Sequence, residues 1–123
     1  KKKKVPVIAP LGLDENNQVF NINADTAAGA IAKKLNARRL IIMSDVEGVL
    51  DDNKKLISEI NTDKVNDLIK NDIISGGMIP KIKNSLDVAS NGVKGVCIID
   101  GRLDHSILFE LLSNAGSGTL IRE

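Results

Sequence analysis

Three short stretches carry side chains able to do chemistry. The first is Ser75-Gly76-Gly77-Met78-Ile79-Pro80-Lys81. Adjacent glycines let a backbone approach phosphate oxygens closely. Pro80 suits the first turn of a helix, so Lys81 falls near a helix start, where the helix dipole does not favour a cation. A lysine kept there can neutralise charge that develops on a phosphoryl group in transfer, a mainly electrostatic task. The stretch is not a P-loop, because GxxxxGK[ST] is absent, and a tight turn before a surface lysine is the plain alternative. The second stretch, Asn21-Ile22-Asn23-Ala24-Asp25-Thr26, sits at a strand-to-helix junction. Its amides, carboxylate and free helix N–H groups can bind an anion; taken alone, helix capping is the simpler account. The third, Ser44-Asp45, follows an apolar run. A ribose, a base or a metal would sit there in an α/β sheet, and a loop that needs polar residues is the alternative.

Two further groups are reactive by type. His105 is the only histidine and Cys97 the only cysteine. No ligand partner stands at zinc spacing, so no metal site is expected. Cys97 lies in an apolar run and reads as an inert core thiol; a nucleophilic Cys97–His105 pair is the remote alternative.

The elements that must position these groups alternate between strand-like and helix-like. Val5–Pro10 reads as a short strand, and the polar turn Asp14–Asn17 followed by extended Gln18–Asn21 reads as a small hairpin. Asn23 is expected to cap a helix carrying Ala27, Ala28, Ile31 and Leu35. Leu40–Met43 reads as a strand buried on both faces, and Leu56–Ile60 as a short extended piece. Thr62 is expected to cap a helix with Val65, Leu68 and Ile69. The helix after Pro80 carries Ile82, Leu86 and Ala89 and stops at Gly92. Val93–Ile99 reads as a second buried strand. Asp104 is expected to cap a helix with Ile107, Leu108, Leu111 and Leu112 on one side, and Thr119–Ile121 closes the pattern as a strand. This alternation predicts an α/β layered domain, an αβα sandwich with a mainly parallel sheet.

Composition bounds the partners. Hydrophobic residues are 42% and charged residues 27% of 123, ordinary for one globular domain. The net charge of +1 gives no basic field for nucleic acid, and two Phe without Trp or Tyr cannot build a base-stacking surface. No apolar run has bilayer-spanning length, and no signal peptide is expected; neither nucleic acid nor membrane is an expected partner. The single cysteine fits a reducing compartment. The Lys1–Lys4 run reads as a solvated segment, with a phosphate-binding arm as the alternative. Because the chain opens on Lys and on a strand-like run with nothing before it to pair with, it is expected to be a piece of a longer protein.

In order along the chain, Asn21–Ala28 (NINADTAA), Leu40–Leu50 (LIIMSDVEGVL), Ile74–Lys81 (ISGGMIPK) and Ile98–Arg102 (IIDGR) resemble the acetylglutamate kinases, members of the amino-acid kinase fold. The resemblance runs from Val5 to about Ile121. It implies phosphorylation of the side-chain carboxylate of N-acetyl-L-glutamate by ATP with Mg2+ in arginine biosynthesis. It implies catalytic roles for Lys81, which would stabilise the transition state on the nucleotide side, and Asp25, which would organise the catalytic lysines. Asn21 would hold the acetylglutamate with Asn23 beside it; Ser44, Asp45, Gly76, Gly77 and Met78 would line the ATP site. Residues 1–123 would then be the C-terminal, nucleotide-binding portion of the domain. The family's upstream lobe, with its first catalytic lysine, glycine-rich loops and substrate arginine, would lie outside the chain. The resemblance also implies a homo-oligomeric parent enzyme in the cytoplasm, or in a plastid. The tail His105–Leu120 is similar to that of arginine-inhibited members, with His105, Glu110, Gly116 and Gly118 as the candidate L-arginine site; Ala115 replaces the acidic residue many of them carry. The alternatives are another amino-acid kinase, such as a glutamate 5-kinase or carbamate kinase, and a non-catalytic module that binds ATP or arginine.

Overall fold

The computed structural model describes residues 4–123. Lys1–Lys3, and with them most of the basic run, lie outside the described residues. The elements in order are β1 (Leu11–Leu13), β2 (Val19–Asn21), α1 (Ala24–Lys34), β3 (Leu40–Ser44), β4 (Glu59–Asn61), α2 (Thr62–Lys70), α3 (Met78–Ser90), β5 (Val96–Asp100), α4 (Ser106–Leu112) and β6 (Gly118–Arg122).

The apolar runs build the sheet, in the order β3-β5-β6-β4. β3 pairs parallel with β5 and β4 parallel with β6, while β6 runs antiparallel to β5. The mainly parallel sheet expected from the sequence therefore carries one antiparallel pairing. Every residue of β5 is buried, which explains its lack of polar alternation. Val96 and Ile98 join Ile42, Ile60 and Ile121 in the main core with Ala32 of α1 and Ile82 and Val88 of α3. On such a pleated strand Cys97 and Ile99 point the other way, towards the face that α4 covers. Helices thus flank both faces, the expected αβα layering.

Local chemistry sets the boundaries. The β1–β2 hairpin turns on Asp14, whose Oδ1 accepts from the Asn16 and Gln18 amides at 2.8 and 2.9 Å. Asn23 caps α1 as expected, its Oδ1 accepting from the Thr26 amide at 3.1 Å. Thr119 is buried and staples two loops to the sheet. Its Oγ1 accepts from the Val49 amide and donates to the Ile57 carbonyl, each at 2.8 Å.

Four expectations are corrected. Val5–Pro10 forms no strand: Pro6 and Pro10 lack an N–H, and Val5, Val7 and Ile8 are exposed, with no face buried. The cap of α2 is Asn61, not Thr62; its Oδ1 accepts from the Lys64 amide at 3.1 Å. Asp104 does not cap α4, because His105 takes a left-handed conformation (φ 62°) and occupies the cap position itself. β3 is not buried on both faces: it ends the strand order, Ile42 alone of Leu40–Met43 is fully buried, and Met43 is exposed. On α4, Ile107, Leu108, Leu111 and Leu112 are exposed, while Ser106 and Glu110 are the residues turned in.

Candidate active site

The site is built from the starts of two helices lying side by side. α1 and α3 each lead through a short connection into a strand of the sheet. Their N-terminal ends therefore lie towards the carboxyl ends of β3 and β5, where α/β sheets bind ligands. Asp25 sits in the first turn of α1. Lys81 follows the first turn of α3, where Pro80 is tolerated because a first-turn N–H has no helical partner. Lys81 Nζ and Asp25 Oδ2 are 2.6 Å apart, with the side chains 19% and 28% exposed. The partial burial restrains the lysine while leaving it open to a cleft of about 240 Å3. Asn23, Asp25, Thr26, Gly77, Pro80, Lys81 and Asn84 line that cleft.

Residues from two of the three sequence stretches meet in this cleft. Asn21, on β2, lies outside it, as do Ser44, Asp45, Gly76 and Met78. The Met78 side chain is half-buried and packs against the core. A Cβ built at Gly76 or Gly77 would meet nothing within 4 Å, so the loop faces open space. The Met78 and Ile79 amides donate to the Ser75 and Gly76 carbonyls at 3.2 and 3.3 Å, and Pro80 has no N–H. Positive charge at this end of α3 therefore comes from Lys81 more than from bare helix amides.

The second assembly holds Ser44 and Asp45 at the end of β3. The ladder ends on Ser44 opposite Asp100, and the Gly101 amide then donates to the Ser44 carbonyl at 2.7 Å. Asp100 is 3% exposed at its side chain. Its Oδ1 accepts from Arg102 Nε and from the Arg102 amide, both at 2.9 Å, and its Oδ2 from Nη2 at 2.7 Å. The side-chain bonds from Arg102, then the backbone one, hold its carboxyl well below the usual range, at about 2, against the opposing effect of burial. Asp100 in turn raises the Arg102 guanidinium, with Asp45 and Glu47 adding to the effect. Sequence reasoning gave neither residue a role of its own; an Asp-x-Arg turn directly after a buried strand was the available signal.

This carboxylate makes stability depend on acid. Its folded value lies below the unfolded 3.8, so its contribution is complete above about pH 5 and is lost as pH falls through about 2, towards about pH 1. Urea midpoints of the wild type and Arg102→Ala are expected to differ at about pH 5 and to converge by about pH 1. A gap that stays constant through that range would place the ion pair elsewhere.

The candidate effector residues divide between two recesses. Glu110, Gly116 and Gly118 line a pocket of about 280 Å3 with Arg39 and Glu59. His105 lies instead in an apolar recess with Leu108, Phe109 and Leu112. Glu110 Oε1 accepts from Arg39 Nη1 at 3.3 Å and its Oε2 from the Ser117 amide at 3.0 Å. Beneath it Cys97 is fully buried; burial first, then its hydrogen bond to Glu110, pushes the thiol up to about 12. It stays protonated and inert, as an apolar-strand cysteine should.

A parallel-rich α/β sheet thus carries a lysine–carboxylate pair across two helix starts, beside an open cleft. The chain belongs to the amino acid kinase family, whose model matches residues 1–100. Over all 123 residues it is 75% identical to the acetylglutamate kinase of Pelagibacter ubique, covering 43% of that protein. It is 49% identical over 122 residues to the acetylglutamate kinase of Methanosphaera stadtmanae, covering 97% of the chain and 41% of that protein. Among solved structures, N-acetylglutamate synthase from Neisseria gonorrhoeae complexed with coenzyme A and L-arginine superposes with a TM-score of 0.86 at 25% identity. That match covers 94% of this chain and 27% of the synthase. The chain thus spans about two fifths of the length of the curated relatives it matches.

Proposed function

We propose that the chain forms the nucleotide side of a kinase that transfers the γ-phosphoryl group of ATP to the side-chain carboxylate of N-acetyl-L-glutamate. The observation that carries the reading is the Lys81–Asp25 pair facing an open cleft beside Gly77; the names of the close relatives supply the substrate. In the reaction a carboxylate oxygen bonds to the γ-phosphorus, the bond to the bridging oxygen breaks, and ADP leaves. Both reactants are anions, so the site must supply positive charge and alignment. Lys81 supplies the charge. Asp25 is no base, because the attacking carboxylate is already ionised at neutral pH; it restrains the lysine. Mg2+ would arrive on the phosphates of the nucleotide. Among the described residues no group of three or more His, Cys, Asp or Glu gathers to hold an ion, and Asp25 is engaged by Lys81.

The pocket at Glu110 supports a second role on the same protein, as a site for L-arginine. Its carboxylate is already oriented towards one guanidinium, that of Arg39, which a ligand guanidinium would displace.

The test uses the chain and a chimera in which these 123 residues replace the matching segment of the Pelagibacter relative. The chimera is expected to form acyl phosphate, trapped as hydroxamate, only with both ATP and N-acetyl-L-glutamate. The same assay with added L-arginine tests the second role. A folded chimera that makes no acyl phosphate would sink the kinase reading.

A further inference from the structure

Asn84 lies one turn beyond Lys81 on α3, on the same face of the helix. It lines the cleft, and its Nδ2 donates to the backbone carbonyl of Asp25 at 3.0 Å. In an α-helix that carbonyl also accepts from the amide four residues on, here Gly29. Gly29 is itself unusual, since a glycine inside a helix is destabilising relative to alanine. Here it is needed for space. A Cβ at Gly29 would meet Val88 Cγ2 at 2.7 Å and the Asn84 Oδ1 and Nδ2 at 3.3 and 3.4 Å. The absence of a side chain at Gly29 lets α3 come close enough for the Asn84 amide to reach the main chain of α1.

Contacts between the two helices form three levels. Lys33 pairs with Asp87 at the far end, Gly29 packs on Val88 in the middle, and Asn84 and Lys81 both grip Asp25 at the end that faces the cleft. The first two levels hold the helices together without Asn84. Lys81 holds only the tip of the Asp25 side chain. Asn84 holds its backbone, and no other side chain among the described residues makes a hydrogen bond to that carbonyl.

We infer that Asn84 is a positioning residue for phosphoryl transfer, clamping the main chain at Asp25 so that the Asp25–Lys81 pair stands at a fixed place in the cleft. The inference rests on the kinase reading for its functional part and on geometry alone for the clamp. It requires a donor at residue 84. Alanine lacks one, and an ionised aspartate both lacks one and competes with Asp25 for Lys81.

The experiment uses the chimera described above with Asn84→Ala and Asn84→Asp. Each is expected to lower kcat on the order of 10-fold, with the KM for ATP and for N-acetyl-L-glutamate within about 2-fold of the parent. Urea midpoints identify the variants that remain folded. Amide hydrogen exchange in the same samples is expected to speed up about 10-fold at Gly29 in Asn84→Ala, and to stay unchanged at Val88. An unchanged kcat in a folded Asn84→Ala variant overturns the positioning role, and unchanged protection at Gly29 overturns the clamp. If the parent chimera makes no acyl phosphate, the kinase reading fails, and the exchange result still decides the clamp.

Discussion

Replacing Lys81 with alanine is expected to lower kcat by about 100- to 1,000-fold, the usual cost of removing one charged group that meets a developing negative charge. The size of the effect follows from the reaction. A carboxylate attacks a phosphoryl group that already carries negative charge, and among the described residues Lys81 is the one cationic side chain that lines the cleft. The KM for either substrate should change much less, because the charge Lys81 offsets grows on the way to the transition state. Loss of fold does not confound the measurement. Asp25 is 28% exposed, so water takes over its carboxylate in the variant, and the stability change should stay within about 1 kcal/mol. Lys81→Arg should not rescue fully, since a planar guanidinium prefers a bidentate grip on Asp25 to a point contact with phosphate. Asp25→Asn keeps the shape but releases the lysine, and should cost about 10- to 100-fold through misplacement alone. Near-normal kcat in a folded Lys81→Ala enzyme would remove Lys81 from the reaction.

Gly118→Ala is expected to be the most damaging small substitution in the fold, at about 3 kcal/mol or more. Gly118 opens β6 and pairs with Ile99 across the antiparallel ladder. A Cβ there would overlap the Ile98 carbonyl oxygen, with the Ile98 carbonyl carbon at 2.9 Å and Ile99 Cα at 3.0 Å. All three are main-chain atoms of the most buried strand, so no side chain can turn aside. Relief would require β6 to move off β5, and β4 hydrogen-bonds to β6. The check is equilibrium unfolding in urea beside Gly77→Ala, whose Cβ would meet nothing and which should be close to neutral. Equal midpoints for the two would mean that the strands are farther apart than described. The resemblance made Gly118 a candidate effector residue; the sheet requires a glycine at that position on its own account.

What the sequence revealed depended on how local the cause was. β5 was legible because residues covered on both faces leave a continuous apolar run, Val93–Ile99; the run Leu40–Met43 marked a strand as well, but β3 is covered less than the run suggests, with Met43 exposed. Asn23 was legible because a cap acts within three residues. The Lys81–Asp25 contact spans 56 residues, and no spacing rule reaches that far; only the resemblance linked the two positions. Asn84 escaped notice for the same reason, although a polar residue one turn after a suspected site lysine was a usable signal. On α4, periodicity correctly marked an apolar face but could not tell where it points. Glu110 turns inwards because Arg39 and the Ser117 amide serve its carboxylate, and neither partner is visible from a local window. Val5–Pro10 misled because β-branched residues suggest a strand whether or not a neighbouring strand exists to pair with it.

The place of β6 between β5 and β4 has a consequence for how the molecule is made. Glu59 of β4 pairs with Leu120, roughly sixty residues later in the chain. A ribosome adding about 5 to 20 residues per second needs roughly 3 to 12 seconds to supply that partner. Until then β3 and β5 can associate, but β4 has no strand beside it and one edge of β5 stays bare. Such unpaired edges invite wrong partners, and long-range strand pairing is slow to form. The nascent chain should therefore be most vulnerable to aggregation and to chaperone capture while β5 is already made and β6 is not.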